Sequence, residues 1–403
     1  MIRPKLTLAL SLLLAGALVA CTDDDAFTGT SEPPTTAADA ASGGAGDSSD
    51  GPATGVVASD DPRAREIVDI VEQSLPELAL QSVVLGVWVG DEELVRGAVD
   101  APSAQPPTAI DAKVRVGQPL EAMLGTVLLQ LGSEGVVDLD APVEQYLPDL
   151  VNADRITPRM LANSTGGTPD YVPNTDFQDR VVANPFDGYT FDELLGFAQQ
   201  SPPLFDPGTS WAYSHTEMAA LVEVLELASG ETFEELMASR IFEPLGMTGS
   251  SAHQDNAISP PFLHAYTSTR GVYEESTFWD PTWGLNGGMN APMVDLGRWL
   301  RALNTGALLD EADAEELLSP VTAGLGRMTD ERYFAYGSLV SGGWILGNPS
   351  LNGYQGFTAQ QRDPSVTITV WSTAAPENTE ESNASQTIAE RIAAVVSDSP
   401  FQA

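Results

Sequence analysis

The stretch from Lys113 to Pro148, KVRVGQPLEAMLGTVLLQLGSEGVVDLDAPVEQYLP, constrains the fold more than any other part of the chain. It reads as a short strand over Lys113 to Val116, a turn at Gly117, and a helix whose apolar residues Leu120, Met123, Leu124, Val127, Leu128 and Leu131 recur at helical spacing. Gly135 closes that helix, and DLDAPVEQYLP leaves it as an acidic, proline-bounded turn. Gln118-Pro119-Leu120-Glu121 is a good helix start. Proline at the first helical position supplies a fixed φ, and Glu121 at the third faces the positive end of the macrodipole.

A chain of 403 residues, 42% of them hydrophobic, is long enough for one large two-lobed domain with a sizeable core. Lys and Arg number 18 against 57 Asp and Glu, a formal net charge of -39. Such a surface repels phosphate backbones and anionic headgroups, so no nucleic-acid partner is expected. The N-terminus carries a basic MIRPK, then LTLALSLLLAGALVA, too short an apolar run to span a bilayer comfortably, and Leu18-Val19-Ala20-Cys21. That tetrad resembles the lipobox of bacterial lipoproteins. The resemblance implies a signal peptide over 1–20, cleavage before Cys21, acylation of its thiol and new amino terminus, and an extracytoplasmic, lipid-anchored protein. Cys21 is the only cysteine, which excludes disulfides and thiol catalysis. Residues 21–60 are rich in Asp, Ser, Thr, Gly, Ala and Pro and read as a tether, leaving 61–403 as the folded domain.

Within that domain, Arg63 to Leu78 reads as an amphipathic helix, and SVVLGVWVG with DEELVRGAVD as a hairpin turned at Gly90-Asp91. ITPRMLANSTGGTPDY follows the central stretch. Ser164 within it has an exposed-looking hydroxyl without a basic neighbour, and reads as a turn residue rather than a nucleophile. Further on come PGTSWAYSHT (207–216), IFEPLGM (241–247) and GGWILGNPSLNGY (342–354), and NASQTIAERIAAVVSD closes the chain as an amphipathic helix. Tyr213 and His215, two apart on an extended segment, face the same way, and an imidazole titrates near neutrality. His253 and His264 fall in a loop region without ligand spacing. Neither His-x-His nor His-Glu-x-x-His occurs, so neither a metal nor a cofactor is expected.

Taken in order, these landmarks resemble the serine beta-lactamase, penicillin-binding protein and DD-peptidase family, in its branch of class-C-like esterases and D-alanyl-D-alanine carboxypeptidases. The resemblance covers about Arg63 to the end. It implies an α/β (α+β) fold in which an antiparallel sheet flanked by helices is built from both chain ends. A mostly helical lobe comes from the middle, and a cleft between the two has the Gln118 helix as its floor. In the family a strand ending in Arg-x-Gly is followed at once by Ser-x-x-Lys, whose serine attacks a carbonyl while the lysine, one helical turn on, helps remove its proton. Here Gln118 and Glu121 hold those two places. The only lysines are Lys5 and Lys113, so no Ser-x-x-Lys lies elsewhere.

The family's Tyr-x-Asn corresponds to Tyr213-Ser214-His215, keeping the tyrosine that works on the leaving group and replacing the asparagine that helps hold substrate. Its His-x-Gly at the cleft edge corresponds to Gly347-Asn348-Pro349, or in an alternative register to Leu351-Asn352-Gly353, and neither supplies a histidine. Ser164, Thr165 and Gly166 correspond to a loop lining the cleft. The expectation is a hydrolytically silent member of the fold whose cleft binds a cell-wall peptide or an envelope protein. The alternative is an active hydrolase that works through Glu121, Tyr213 and His215.

Overall fold

The computed structural model describes residues 55–285, 288–363, 366–378 and 383–401. The expected signal peptide, Cys21 and the tether as far as residue 54 lie outside the described residues. The chain begins with β1 (Val56–Ala58), α1 (Pro62–Glu77), β2 (Leu80–Val89), β3 (Glu92–Asp100) and β4 (Val114–Arg115). The helical middle holds α2 (Pro119–Ser133), α3 (Pro158–Ala162), α4 (Thr175–Ala183), α5 (Phe191–Ala198), α6 (His215–Ser229) and α7 (Phe233–Met237), the last running through a π-helical turn into α8 (Glu243–Leu245). Short strands β5 (Ser251–His253), β6 (Tyr266–Thr267), β7 (Glu274–Glu275) and β8 (Gly288–Ala291) precede α9 (Met293–Thr305) and α10 (Glu311–Leu317). The chain returns to the sheet with β9 (Arg332–Phe334), β10 (Leu339–Ser341), β11 (Trp344–Gly347), β12 (Ser350–Leu351), β13 (Tyr354–Gln361) and β14 (Val366–Ala374), and α11 (Ala384–Val396) follows.

The main sheet is antiparallel and runs β1-β3-β2-β14-β13-β11-β10-β9, with β12 paired to the start of β13. Its centre joins the two ends of the chain: β14 pairs with β2 from Val366↔Val89 to Thr373↔Ser82. The hairpin turned at Gly90-Asp91 is β2 and β3, as the alternating apolar residues predict. Val56–Ala58, which composition assigns to the tether, forms edge strand β1 instead, pairing Val56↔Gly97. The folded unit therefore includes residues that the sequence assigns to the tether.

Helices α1 and α11 cover one face, where Ile67, Val71 and Leu75 pack with Ile388, Ile392 and Val396. The Arg391 guanidinium grips the Glu77 carboxylate with two bonds of 2.8 and 2.6 Å. The other face carries the larger core, in which α2 is buried on almost every side. Its apolar spacing alone predicts one wet face. Packing against α3, α6 and α10 removes that face from water, so even Glu121 and Thr126 are buried. The T-x-x-E tetrads at Thr190 and Thr232 close as capping boxes at the starts of α5 and α7.

Candidate functional site

Gly117 sits at φ +67°, and a Cβ there would lie 2.7 Å from Cβ of Pro349. Only glycine fits both the turn and the close approach. The turn brings Gln118, the residue capping α2, against the end of β11. Gln118 makes no side-chain capping bond; its Oε1 accepts the backbone N–H of Asn348 at 2.8 Å. Gly347 backs this contact, since a Cβ there would stand 3.4 Å from Gln118 Oε1. Of the two candidate segments, Gly347-Asn348-Pro349 lies directly beside Gln118. Pro349 falls in the gap between β11 and β12, where its carbonyl accepts Gly356 N–H at 2.8 Å and no ladder donor is needed. Leu351, from the alternative register, also lines the cavity, on β12.

One turn into α2, Glu121 is 1% exposed. The Tyr213 hydroxyl donates to its Oε1 at 2.5 Å, and Oε2 has no hydrogen-bond partner among the described residues. A third-position glutamate facing the helix dipole is what the sequence suggests; here it is also buried, at the floor of the cleft. Burial pushes its carboxyl up from 4.5 to about 8, against the opposing pull of Tyr213 and His215, so it is mostly protonated at neutral pH. Burial, then Glu121 itself, holds the Tyr213 phenol well above its ordinary value.

His215 opens α6. Its Nδ1 lies 3.0 Å from Oδ2 of Asp170, and because a carboxylate can only accept, Nδ1 carries the proton. Its ring meets that of Tyr213 edge-on at 4.9 Å. Burial lowers the imidazole's affinity for a proton, but Asp170 and Glu121 outweigh it and the net shift is upward. A second buried acid, Glu217, sits under the loop that carries Asp170. It accepts the N–H groups of Gly166 at 3.1 Å and Thr168 at 2.7 Å, yet burial still raises it to about 8.

Gln118, Glu121, Tyr213 and His215 all line one cleft that opens to solvent. Leu120, Pro281, Trp283, Leu285, Met289 and Leu351 form its apolar walls, and Asn348 stands at its rim. Gly347 lies just behind the wall. Ser164 is not part of it: at φ 58° it is a turn residue, but its side chain is fully buried rather than exposed, with Oγ unpartnered among the described residues. His253 ends β5 rather than lying in a loop, its Nε2 2.8 Å from Asn290 Nδ2, and His264 Nδ1 sits 2.7 Å from Glu275. Sequence reasoning missed Asp170, although it is the acid of the TPDY tetrad, and the walls supplied by Pro281 and Trp283.

Among the described residues, Gln118 and Glu121, and neither a serine nor a lysine, stand in the first turn of α2. The hydrogen-bonded pair Tyr213–Glu121 and the imidazole of His215, held by Asp170 from behind the lining, face a mostly apolar pocket.

The sequence profile of the family described as Beta-lactamase matches residues 67–393. Penicillin-binding protein 4* of Bacillus subtilis (strain 168) is 26% identical over 253 residues, which cover 56% of this chain and 50% of that protein. The beta-lactamase of Escherichia coli (strain K12) is 23% identical over 292 residues, 70% of this chain and 71% of that one. Thus the matched region spans only half of the first of these relatives. Among solved structures, a D-stereospecific amidohydrolase from Streptomyces sp. superposes with a TM-score of 0.70 at 25% identity, covering 80% of this chain and 97% of that one.

Proposed function

This chain belongs to the beta-lactamase family, and from that premise we propose that it is a cell-envelope lipoprotein, anchored through Cys21, whose cleft binds a short cell-wall peptide without cleaving it. One observation carries the reading: where acyl transfer would begin, the Gln118 side-chain carbonyl already accepts the Asn348 N–H at 2.8 Å. Acyl transfer needs a nucleophile, a base beside it and backbone donors aimed at the developing oxyanion. An amide nitrogen is a poor nucleophile, Glu121 is protonated at neutral pH, and the strand-end donor is taken. Support for a ligand comes from the lining of the site, mostly apolar walls with a few convergent polar groups. The relatives' names add penicillin binding and amide hydrolysis of D-configured compounds to the chemistry found on this scaffold.

The purified protein should take no covalent label from a fluorescent penicillin or a fluorophosphonate. Muropeptides that bind the native form should raise its melting temperature. Stoichiometric labelling of any cavity side chain would overturn the reading.

A second reading, a hydrolase using Glu121, Tyr213 and His215, rests on the Asp170–His215 pair, which could hold an imidazole as a base for water. It requires ester, β-lactam or amide turnover that is abolished by Glu121→Gln and by His215→Ala.

A further inference from the structure

The cavity has a strongly one-sided chemistry. Among its described lining residues the ionisable groups are Glu121, Tyr213 and His215, and neither lysine nor arginine is present. His215 is already committed to Asp170 through Nδ1. Glu121 is not fully committed: one oxygen takes the Tyr213 hydroxyl, while Oε2 is buried without a partner. An unsatisfied buried carboxyl oxygen loses about 1–3 kcal/mol relative to a satisfied one, so some group of the bound state has reason to meet it. The rings of Tyr213 and Trp283 also stand in the wall, and aromatic faces attract cations.

We infer that the ligand of this cavity enters with a primary ammonium group, which pairs with Glu121 at the floor while its apolar body lies against Leu120, Leu285 and Met289. This rests on the reading above, that the cavity binds a ligand without covalent chemistry. The alternatives are weaker on the same observations. A ligand carboxylate or phosphate would find no lysine or arginine in the wall and would approach Asp170 in a protein of net charge -39. A neutral hydroxyl could satisfy Oε2, but only through a bond without charge assistance. An ammonium supplies both the hydrogen bond and the charge, and charge-assisted bonds are roughly twice as strong as neutral ones.

Pairing has a proton balance that can be measured. In the empty site the carboxyl O–H is intact at neutral pH. When an ammonium docks, that O–H bond breaks, its proton leaves to solvent, and an N–H···O bond to the carboxylate replaces it. The titratable groups facing Glu121 are Tyr213, His215, Asp170 and Tyr171. Both tyrosines stay protonated because burial raises them. His215 can recapture part of the released proton, since an ionised Glu121 favours its charged form.

Three probes of similar size separate the possibilities: phenethylammonium, phenethyl alcohol and 3-phenylpropionate. Calorimetry on the whole folded protein at pH 7, in two buffers of different ionisation heat, should show phenethylammonium binding at least ten times more tightly than the alcohol, with net proton release. The propionate should bind most weakly. Glu121→Gln should reduce the amine to the level of the alcohol. Proton release by the unaltered protein is a second readout that does not depend on that variant folding. Equal binding of amine and alcohol, or binding led by the propionate, would overturn the ammonium inference while leaving ligand binding intact. If none of the three binds, both the inference and the reading it rests on fail.

Discussion

Two buried glutamates set the character of the site. Glu121 and Glu217 are each raised from 4.5 to about 8 by burial, so over that interval the folded protein holds protons that the unfolded chain has released. Stability therefore falls as pH rises from roughly 4.5 towards 8, by ~1.4 kcal/mol per pH unit for each group. Thermal melts at pH 5, 6, 7 and 8 should show a declining midpoint, and Glu121→Gln or Glu217→Gln should each flatten the slope by about one proton. The opposite trend would mean that the carboxyls are ionised in the fold. Gln118 permits a test at the same scale. Gln118→Ser frees the Asn348 N–H, and Glu121→Lys restores an ammonium one turn on, beside Tyr213. The double variant should acquire slow covalent labelling by fluorescent penicillin, while each single variant stays unlabelled. Both single variants disturb buried contacts, so their melting should be recorded alongside.

Helix α2 shows how far local signals reach. Its start at Pro119, its close before Gly135 and the turn at Gly117 are all written in residues that act on their own backbone, and the structure places them where the sequence predicts. The hairpin of β2 and β3 is legible for the same reason. What lies opposite each residue is not legible. The depth of burial of Glu121 shows only when Tyr213, distant in sequence, is laid over it, and Ser164 looks exposed until its turn packs onto Glu217. Asp170 went unnoticed because its partnership with His215 depends on the same packing. The element's fit can be tested at Gly337, at φ +72°, where a Cβ would lie 2.3 Å from the Glu121 carbonyl carbon. Gly337→Ala should destabilise by about 3 kcal/mol, adding backbone strain to overpacking. Gly324→Ala, at φ +81° with no atom within 4 Å, should cost about 1 kcal/mol. Urea melts of the two variants measure the difference.

At the scale of the whole molecule, the sheet that joins both chain ends and the helical lobe between them follow the family's architecture. The proposed anchor is tested on the intact chain: Cys21→Ala should move the protein from the membrane fraction to the soluble extracytoplasmic fraction, and unchanged membrane association would rule out lipidation as its basis. The Gln118–Asn348 bond also has a consequence for descent. It ties the helical half to the sheet half, so a lineage that exchanged Gln118 for serine would first strand a half-buried amide, losing about 1–3 kcal/mol. If the cleft is hydrolytically silent, as proposed, no hydrolytic benefit would arrive until a second codon changed three positions downstream. On the proposed reading, a gain of acyl transfer thus has to cross a fitness valley, and selection acting one substitution at a time holds the chain on the near side.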